Sequence, residues 1–395
     1  MKHHVIFLGA GASYNSGYPV GEKLRLRLCS MDHYKNHLDE VPLKGSAKEV
    51  LDFKGRYLGF FEEFKSEIDL FRYGGFATVD EFSRLASSKY PEQAHAMKQL
   101  MRLAFSFHNP EDKFHESEYY SFLQRLFKAD LYSLREDVTV ISYNYDCYLD
   151  FLLTRALTHR KHLHHGKNEE LTALETNILT SGFDNPRDIE WAESKGFKYL
   201  KLHGSILHPR EDFQRMFDPY KFVNLPPTPK GWKGTAIPPV IFPWEFFDGA
   251  GNVIFENDFV FVKQARETEE RQKGQYLFNL YKNIWCLARD AVQKATKISF
   301  VGLSLHRYME DGLKFLLKGK TGCPIEVVVA NPADTENLCR RFSSVLRRIA
   351  PDMEARGSWL DDAANRADNM GIRKYQAYGM TPRKDFKEFI EREME

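Results

Sequence analysis

Val5-Ile6-Phe7-Leu8 is an unbroken apolar run, and Gly9-Ala10-Gly11-Ala12-Ser13 follows it directly. An apolar run without alternation suits a strand covered on both faces, as in the middle of a parallel sheet. The glycines permit a tight turn, and Glu22-Lys23-Leu24-Arg25-Leu26-Arg27-Leu28 favours helix. Strand, glycine turn and helix make the opening βα unit of an α/β fold, and this order sets the expectations for the rest of the chain.

The same alternation recurs downstream. Residues 138–142, 199–202, 297–301 and 325–330 carry strand character, and helices are expected over 148–158, 267–294 and 308–317. The long helix is expected to turn Leu277, Leu280, Ile284, Leu287 and Ala288 inward. Together these elements predict a Rossmann-like, doubly wound parallel sheet. Residues 31–135 have a different texture, with apolar positions at helical spacing such as Phe60, Phe61, Phe64, Ile68 and Phe71. They are read as a helical insertion. The chain thus divides into a core over 1–30 and 136–335, an insertion domain over 31–135, and a helical or irregular extension over 336–395. A polar stretch at 158–170 and a Pro- and Gly-rich one at 226–243 read as loops.

Charge and cysteine usage exclude several functions. The 56 basic and 55 acidic residues leave a net charge of +1, without the basic excess of a protein that grips a nucleic-acid backbone. No direct nucleic-acid binding is expected. The five cysteines are scattered with no C-x-x-C pair, which argues against a zinc ribbon or a disulfide framework and fits a reducing cytoplasm. The start Met1-Lys2-His3-His4-Val5 does not read as a signal peptide, and no apolar stretch approaches the ~20 residues that span a bilayer. A cytoplasmic protein without a membrane partner is expected.

In open α/β sheets, ligands bind beyond the carboxyl ends of the strands. Gly9, Ala10, Gly11, Ala12 and Ser13 stand where a phosphate-binding turn belongs. Position 14 is Tyr14, where the dehydrogenase fingerprint wants a third glycine, and no acidic residue closes a second strand about 20 residues on. Hydride transfer is therefore disfavoured. The other strand ends are Ser142-Tyr143-Asn144-Tyr145-Asp146, Lys201-Leu202-His203-Gly204-Ser205, Gly302-Leu303-Ser304-Leu305, and Asn331.

This ordered set resembles the sirtuin superfamily. Gly9-Ala10-Gly11-Ala12-Ser13 followed by Ser16-Gly17-Tyr18-Pro19 is similar to its G-A-G-x-S and S-G-[IY]-P motifs. Ser142-Tyr143-Asn144-Tyr145-Asp146 looks like T-Q-N-I-D, His203-Gly204 like the catalytic H-G, Gly302-Leu303-Ser304-Leu305 like G-T-S-L, and Asn331 like the adenosine-binding Asn. Deacetylases of the superfamily continue S-G-I-P with D-F-R, where this chain has Val20-Gly21-Glu22, and they hold zinc with four cysteines that cannot be assembled here. The long interval from Asn144 to His203 also departs from them. The pattern is closer to the zinc-less, sirtuin-like NADase domains of bacterial anti-phage defence.

That resemblance implies an NAD glycohydrolase, releasing nicotinamide and ADP-ribose once infection or a partner activates it. It implies Asn144 and His203 as catalytic residues, His203 titrating near neutrality as general base. Asp146 would orient a hydroxyl or support the turn. Gly9 to Ser13, Gly302, Ser304 and Asn331 would hold NAD, which is the substrate, with no zinc or other metal. A homo-oligomer is expected, and the family makes a HerA-type ATPase a candidate partner. The alternatives are an NAD-dependent protein deacylase and a module that senses NAD or ADP-ribose without turnover.

Four other features have plainer readings. His159, His162, His164 and His165 sit among basic residues without carboxylates at ligand spacing, and read as a solvated loop. Cys147, beside Asn144, reads as a small buried hydrophobe before a nucleophile. Gly302-Leu303-Ser304-Leu305-His306 lacks the closing glycine of a hydrolase elbow. Thr78-Val79-Asp80-Glu81-Phe82 reaches the pocket or packs.

Overall fold

The computed structural model describes residues 3–15, 21–30, 65–76, 78–89, 117–128, 134–146, 148–150, 197–204, 240–263, 268–305, 309–320, 325–331, 335–351 and 379–394, with isolated positions between them. His159, His162, His164, His165, Cys147, Ser16, Gly17, Pro19, Phe60, Phe61 and Phe64 lie outside the described residues, as does most of the 226–243 loop.

The strands are β1 (His4–Leu8), β2 (Val138–Ser142), β3 (Lys198–Lys201), β4 (Lys297–Val301), β5 (Ile325–Ala330), the two-residue β6 (Ala355–Arg356) and β7 (Trp359–Leu360), and β8 (Gly379–Arg383). Six of them form an all-parallel sheet in the order β3-β2-β1-β4-β5-β8. This is the doubly wound Rossmann-like order, with the switch point between β1 and β4. β6 adds to β5 in parallel, and β7 pairs antiparallel with β8.

β8 corrects the expected boundary. The core was read as ending at residue 335, yet Thr381, Pro382 and Arg383 pair with Val328, Val329 and Ala330. The 336–395 stretch therefore supplies a strand of the sheet. Pro382 explains why that strand is hard to read: proline has no N–H for a ladder and argues against a strand assignment.

The helices are α1 (Gly21–Leu28), α2 (Lys65–Tyr73), α3 (Val79–Lys89), α4 (Glu118–Leu126), α5 (Val260–Lys263), α6 (Thr268–Lys294), α7 (Glu310–Leu317), α8 (Thr335–Ile349) and α9 (Phe386–Glu393). Alternation along β1 sorts them into two layers. Ile6 and Leu8 share a core with Leu28 of α1, Phe71 of α2, Phe82 of α3, Phe122 of α4 and Phe389 of α9. Val5 and Phe7 face the other way, onto α6, α7 and α8 through Trp285, Leu313 and Phe342. Period-two alternation thus sends each strand's residues into two cores, as helices on both faces require.

The described helices of the 31–135 insertion share the first core with the sheet and are integral to that layer. On α6 the fully apolar face lies at Phe278, Tyr281, Ile284, Trp285, Ala288 and Val292, while Leu277 and Leu287 are half-buried. The helix is thus turned toward its aromatic side, which carries the larger area to bury. Gly312 of α7 makes room for that side, because a Cβ there would lie 2.6 Å from the Trp285 ring.

Candidate functional site

The turn after β1 and the turn after β4 are built against each other. Gly9 N–H donates to Val301 O at 2.8 Å, Gly11 N–H to Gly302 O at 2.8 Å, and Gly302 N–H to Ala330 O at 2.8 Å. Gly302 has φ +63°, and a Cβ there would lie 2.0 Å from the Ala12 nitrogen. Cβ atoms on Gly9 and Gly11 would come within 2.6 and 2.8 Å of Gly302 O. These three glycines therefore serve backbone-to-backbone approach of two strand-end loops, where the sequence suggested room for a pyrophosphate. Ala12 N–H is also used internally, donating to Gly9 O at 2.9 Å. Ala10 is the exposed residue of the five.

Ser13, expected on a phosphate, is fully buried and belongs instead to a network around Asn144. Its hydroxyl donates to Asp146 Oδ2 at 2.9 Å and lies 3.1 Å from Tyr119 OH. Asn144 Nδ2 donates to Ser13 Oγ at 3.1 Å and to Tyr119 OH at 3.4 Å. Asp146 both fixes Ser13 and supports the turn, since its Oδ1 accepts from Tyr148 N–H at 3.1 Å. Burial pushes the Asp146 carboxyl above its ordinary range, against the pull of nearby Lys201.

Lys201, at the end of β3, braces this turn from the far side. Its ammonium donates to the Asp146 carbonyl at 2.5 Å and to Asp150 Oδ2 at 3.1 Å, where Tyr199 OH also donates at 2.9 Å. Asn144 and His203 then stand on the neighbouring ends of β2 and β3, 5% and 2% exposed. Gly204, at φ +71°, turns the chain immediately after the histidine, a conformation that L side chains resist.

His203 is held by rings. Tyr143, Tyr145 and Trp285 surround its imidazole at centroid distances of 5.2, 5.9 and 5.9 Å. Burial drives its pKa down to about 3, so the ring is neutral at pH 7 where the sequence suggested titration near neutrality. Among the described residues, both His203 ring nitrogens, Asn144 Oδ1 and Tyr143 OH are buried without a hydrogen-bond partner. Buried polar atoms of that kind cost free energy in a folded chain, and here they cluster at the ends of β2 and β3.

Ser304 and Asn331 sit at the ends of β4 and β5, the first exposed and the second buried with Nδ2 3.5 Å from Leu303 O. Asp80 of α3 reaches the site, accepting from Tyr145 OH at 2.7 Å. A cavity of about 220 Å³ lies elsewhere, lined by Arg25, Leu26, Cys29, Ser30 and Arg72, and takes in none of these residues. Among the described residues no group of three or more His, Cys, Asp or Glu is placed to hold a metal ion, and no helix is long and apolar enough to cross a membrane.

Tyr119, Lys201, Asp150 and Trp285 are site residues that the strand-end motifs did not single out. Lys201 had a signal, adjoining His203 in a strand where the four positions 199–202 otherwise carry only apolar or aromatic side chains. Tyr119 had none, because at helical spacing with Phe122, Leu123 and Leu126 it reads as core.

The buried histidines set an acid limit on stability. For His203 and for His4, which burial also lowers to about 3, the unfolded value of 6.5 is the higher one. The unfolded chain therefore binds the proton first, and stability is intact above about pH 6.5 and falls as pH drops toward 3. Each ring sets a ceiling of roughly 5 kcal/mol on that loss. Asp146 and Glu245, with carboxyls raised by burial, oppose it at the acid end. Melting temperatures should fall steadily from pH 7 to pH 5, with a shallower slope in His4→Gln; a flat wild-type profile would contradict these buried, neutral rings.

No known family model matches this chain, and no curated protein is significantly similar to it.

Proposed function

We propose that this chain is an NAD glycohydrolase, cleaving NAD to nicotinamide and ADP-ribose, and that it acts as a defence effector switched on by infection or a partner. The observation that supports it is the set of unsatisfied buried atoms, Asn144 Oδ1 and both ring nitrogens of His203, at the neighbouring carboxyl ends of β2 and β3. A ribose brings hydroxyl groups that can both donate and accept, which is what an amide oxygen and a neutral imidazole need.

The chemistry asks little of the protein beyond placement. The bond from ribose C1′ to the pyridinium nitrogen breaks with its electron pair leaving on nicotinamide, through an oxocarbenium-like state. Water attacks C1′ and gives up a proton. Asn144 Oδ1 would accept from the water or a ribose hydroxyl, and His203 would take the proton. A ring with a pKa near 3 is a weak base in the free protein, but the negative diphosphate of a bound dinucleotide raises the proton affinity of a nearby imidazole.

Purified protein incubated with NAD, with and without an acetyl-lysine peptide, tests the proposal by following nicotinamide and ADP-ribose. Peptide-independent release of both is the expected result. Release that requires the peptide would favour deacylation, and tight binding of NAD without release would favour a sensor.

A further inference from the structure

The hydrogen bonds around Asn144 run in one direction, and that direction fixes which end of its amide faces the ligand. The Ser13 hydroxyl gives its single proton to Asp146 Oδ2 at 2.9 Å, so Ser13 Oγ can only accept from its other neighbours. Tyr119 OH lies 3.1 Å from that oxygen and must be the donor in the pair. Asn144 lies 3.1 Å from Ser13 Oγ and 3.4 Å from Tyr119 OH, both of which have lone pairs to offer it. Its NH2 group is therefore the atom set turned inward, and its carbonyl oxygen is the one left without a partner. An Asn amide is otherwise close to symmetric in shape, so only such a network decides its orientation.

Ser13 and Asp146 belong to the sheet, at the ends of β1 and β2. Tyr119 does not: it is the second residue of α4, from the 31–135 stretch, and Ser117 caps that helix by accepting from Tyr119 N–H at 3.1 Å. Its ring is locked edge-on by Tyr148 and Phe386, at 5.5 and 5.2 Å. A rigid ring with its hydroxyl delivered to the Asn144 amide contributes geometry without touching the ligand.

We infer that Tyr119 is a positioning residue that holds the Asn144 amide with its carbonyl oxygen, and not its NH2 group, toward the bound ligand. For catalysis this rests on the glycohydrolase proposal; for the amide itself it does not. Tyr119→Phe keeps the ring packing and removes one hydroxyl, which makes it the direct test.

Two measurements on the full chain separate the inference from the proposal. In protein labelled with 15N at asparagine, the Asn144 side-chain amide is assigned by its loss in Asn144→Asp. Its protons should exchange with solvent about threefold to tenfold faster in Tyr119→Phe, the cost of one buried hydrogen bond. In the NAD assay, kcat should fall on the order of ten- to a hundredfold, as when a supporting bond to a functional group is removed, with KM changed far less. Unchanged amide exchange overturns the inference whether or not NAD is cleaved. A wild-type protein that cleaves no NAD overturns the function proposal, while the amide measurement still decides the role of Tyr119. If Tyr119→Phe melts more than a few degrees below wild type, 3-fluorotyrosine at the position keeps ring and hydroxyl and weakens that oxygen as the acceptor for the Asn144 NH2 group; faster exchange of the same amide signal is then expected, and unchanged exchange overturns the inference.

Discussion

His203→Leu is expected to abolish NAD cleavage and to leave the protein as stable as before or more so. The two halves of this result come from one observation. Both ring nitrogens are buried without a partner at full hydrogen-bond geometry among the described residues, and the Ile241 backbone gives the ring only a weak polar contact, so the imidazole contributes little to the fold and its polar atoms are largely a standing cost. An apolar side chain of similar size fills the space between Tyr143, Tyr145 and Trp285 without that cost. Replacing unsatisfied polar atoms by apolar ones of the same shape is neutral or stabilising, by about 1 kcal/mol. The activity lost is the share of a general base, about 10²- to 10⁴-fold. Melting temperature and nicotinamide release from the same preparation check both halves. A histidine that served the fold would give the reverse pattern, a marked drop in melting temperature with turnover retained, and that would remove His203 from the site.

Gly302→Ala is expected to be among the most damaging single-methyl changes in the chain, and Gly319→Ala supplies its control. Both glycines have positive φ, +63° and +78°, so both substitutions incur the left-handed penalty of about 1–2 kcal/mol. Among the described residues, nothing lies within 4 Å of a Cβ on Gly319. A Cβ on Gly302 would meet the Ala12 nitrogen at 2.0 Å and the Gly11 carbonyl carbon at 2.5 Å, both backbone atoms. The two strand-end loops must then part, breaking the 2.8 Å bond from Gly11 N–H to Gly302 O and shifting Ser13 with them. Unfolding in urea should show a loss for Gly302→Ala several kcal/mol larger than for Gly319→Ala, in the range of severe steric and backbone lesions. Equal losses would mean that the loops are not packed as described.

Much of this architecture was legible in the sequence because buried parallel strands write themselves as apolar runs. Val5-Ile6-Phe7-Leu8 of β1 is such a run, β2, β4 and β5 are compact and mostly apolar or β-branched, and the ends of β1 and β2 carried residues that meet at the site. The sheet's sixth strand was hidden because Gly379-Met380-Thr381-Pro382-Arg383 has no apolar run and lacks a ladder donor at Pro382. It is held by tertiary contacts: Arg383 pairs with Glu393 of α9, which also receives Lys297 of β4 at 2.5 Å. At the site, a motif names residues but not directions. It brought Ser13, Asn144 and Asp146 into view, and only the contacts show that Ser13 faces Asp146 and that the glycines face each other. Tyr119 was out of reach for a related reason, since what matters is a hydroxyl on a ring whose pattern already had a sufficient explanation as core.

The position of β1 bears on how such a chain comes to be folded at all. β1 precedes its neighbours along the chain and is flanked in the sheet by β2 and β4, whose pairing residues are 138 and 297, and the parallel order runs out to β8 at 379–383. Contacts so distant along the chain make folding slow, because long loops must close before any pairing is rewarded. On the ribosome, Val5-Ile6-Phe7-Leu8 emerges before both of its neighbours and waits for them, an apolar segment with open edges on each side. Nascent or truncated chains that stop before residue 297 leave one flank of β1 unpaired, and are the forms most exposed to aggregation.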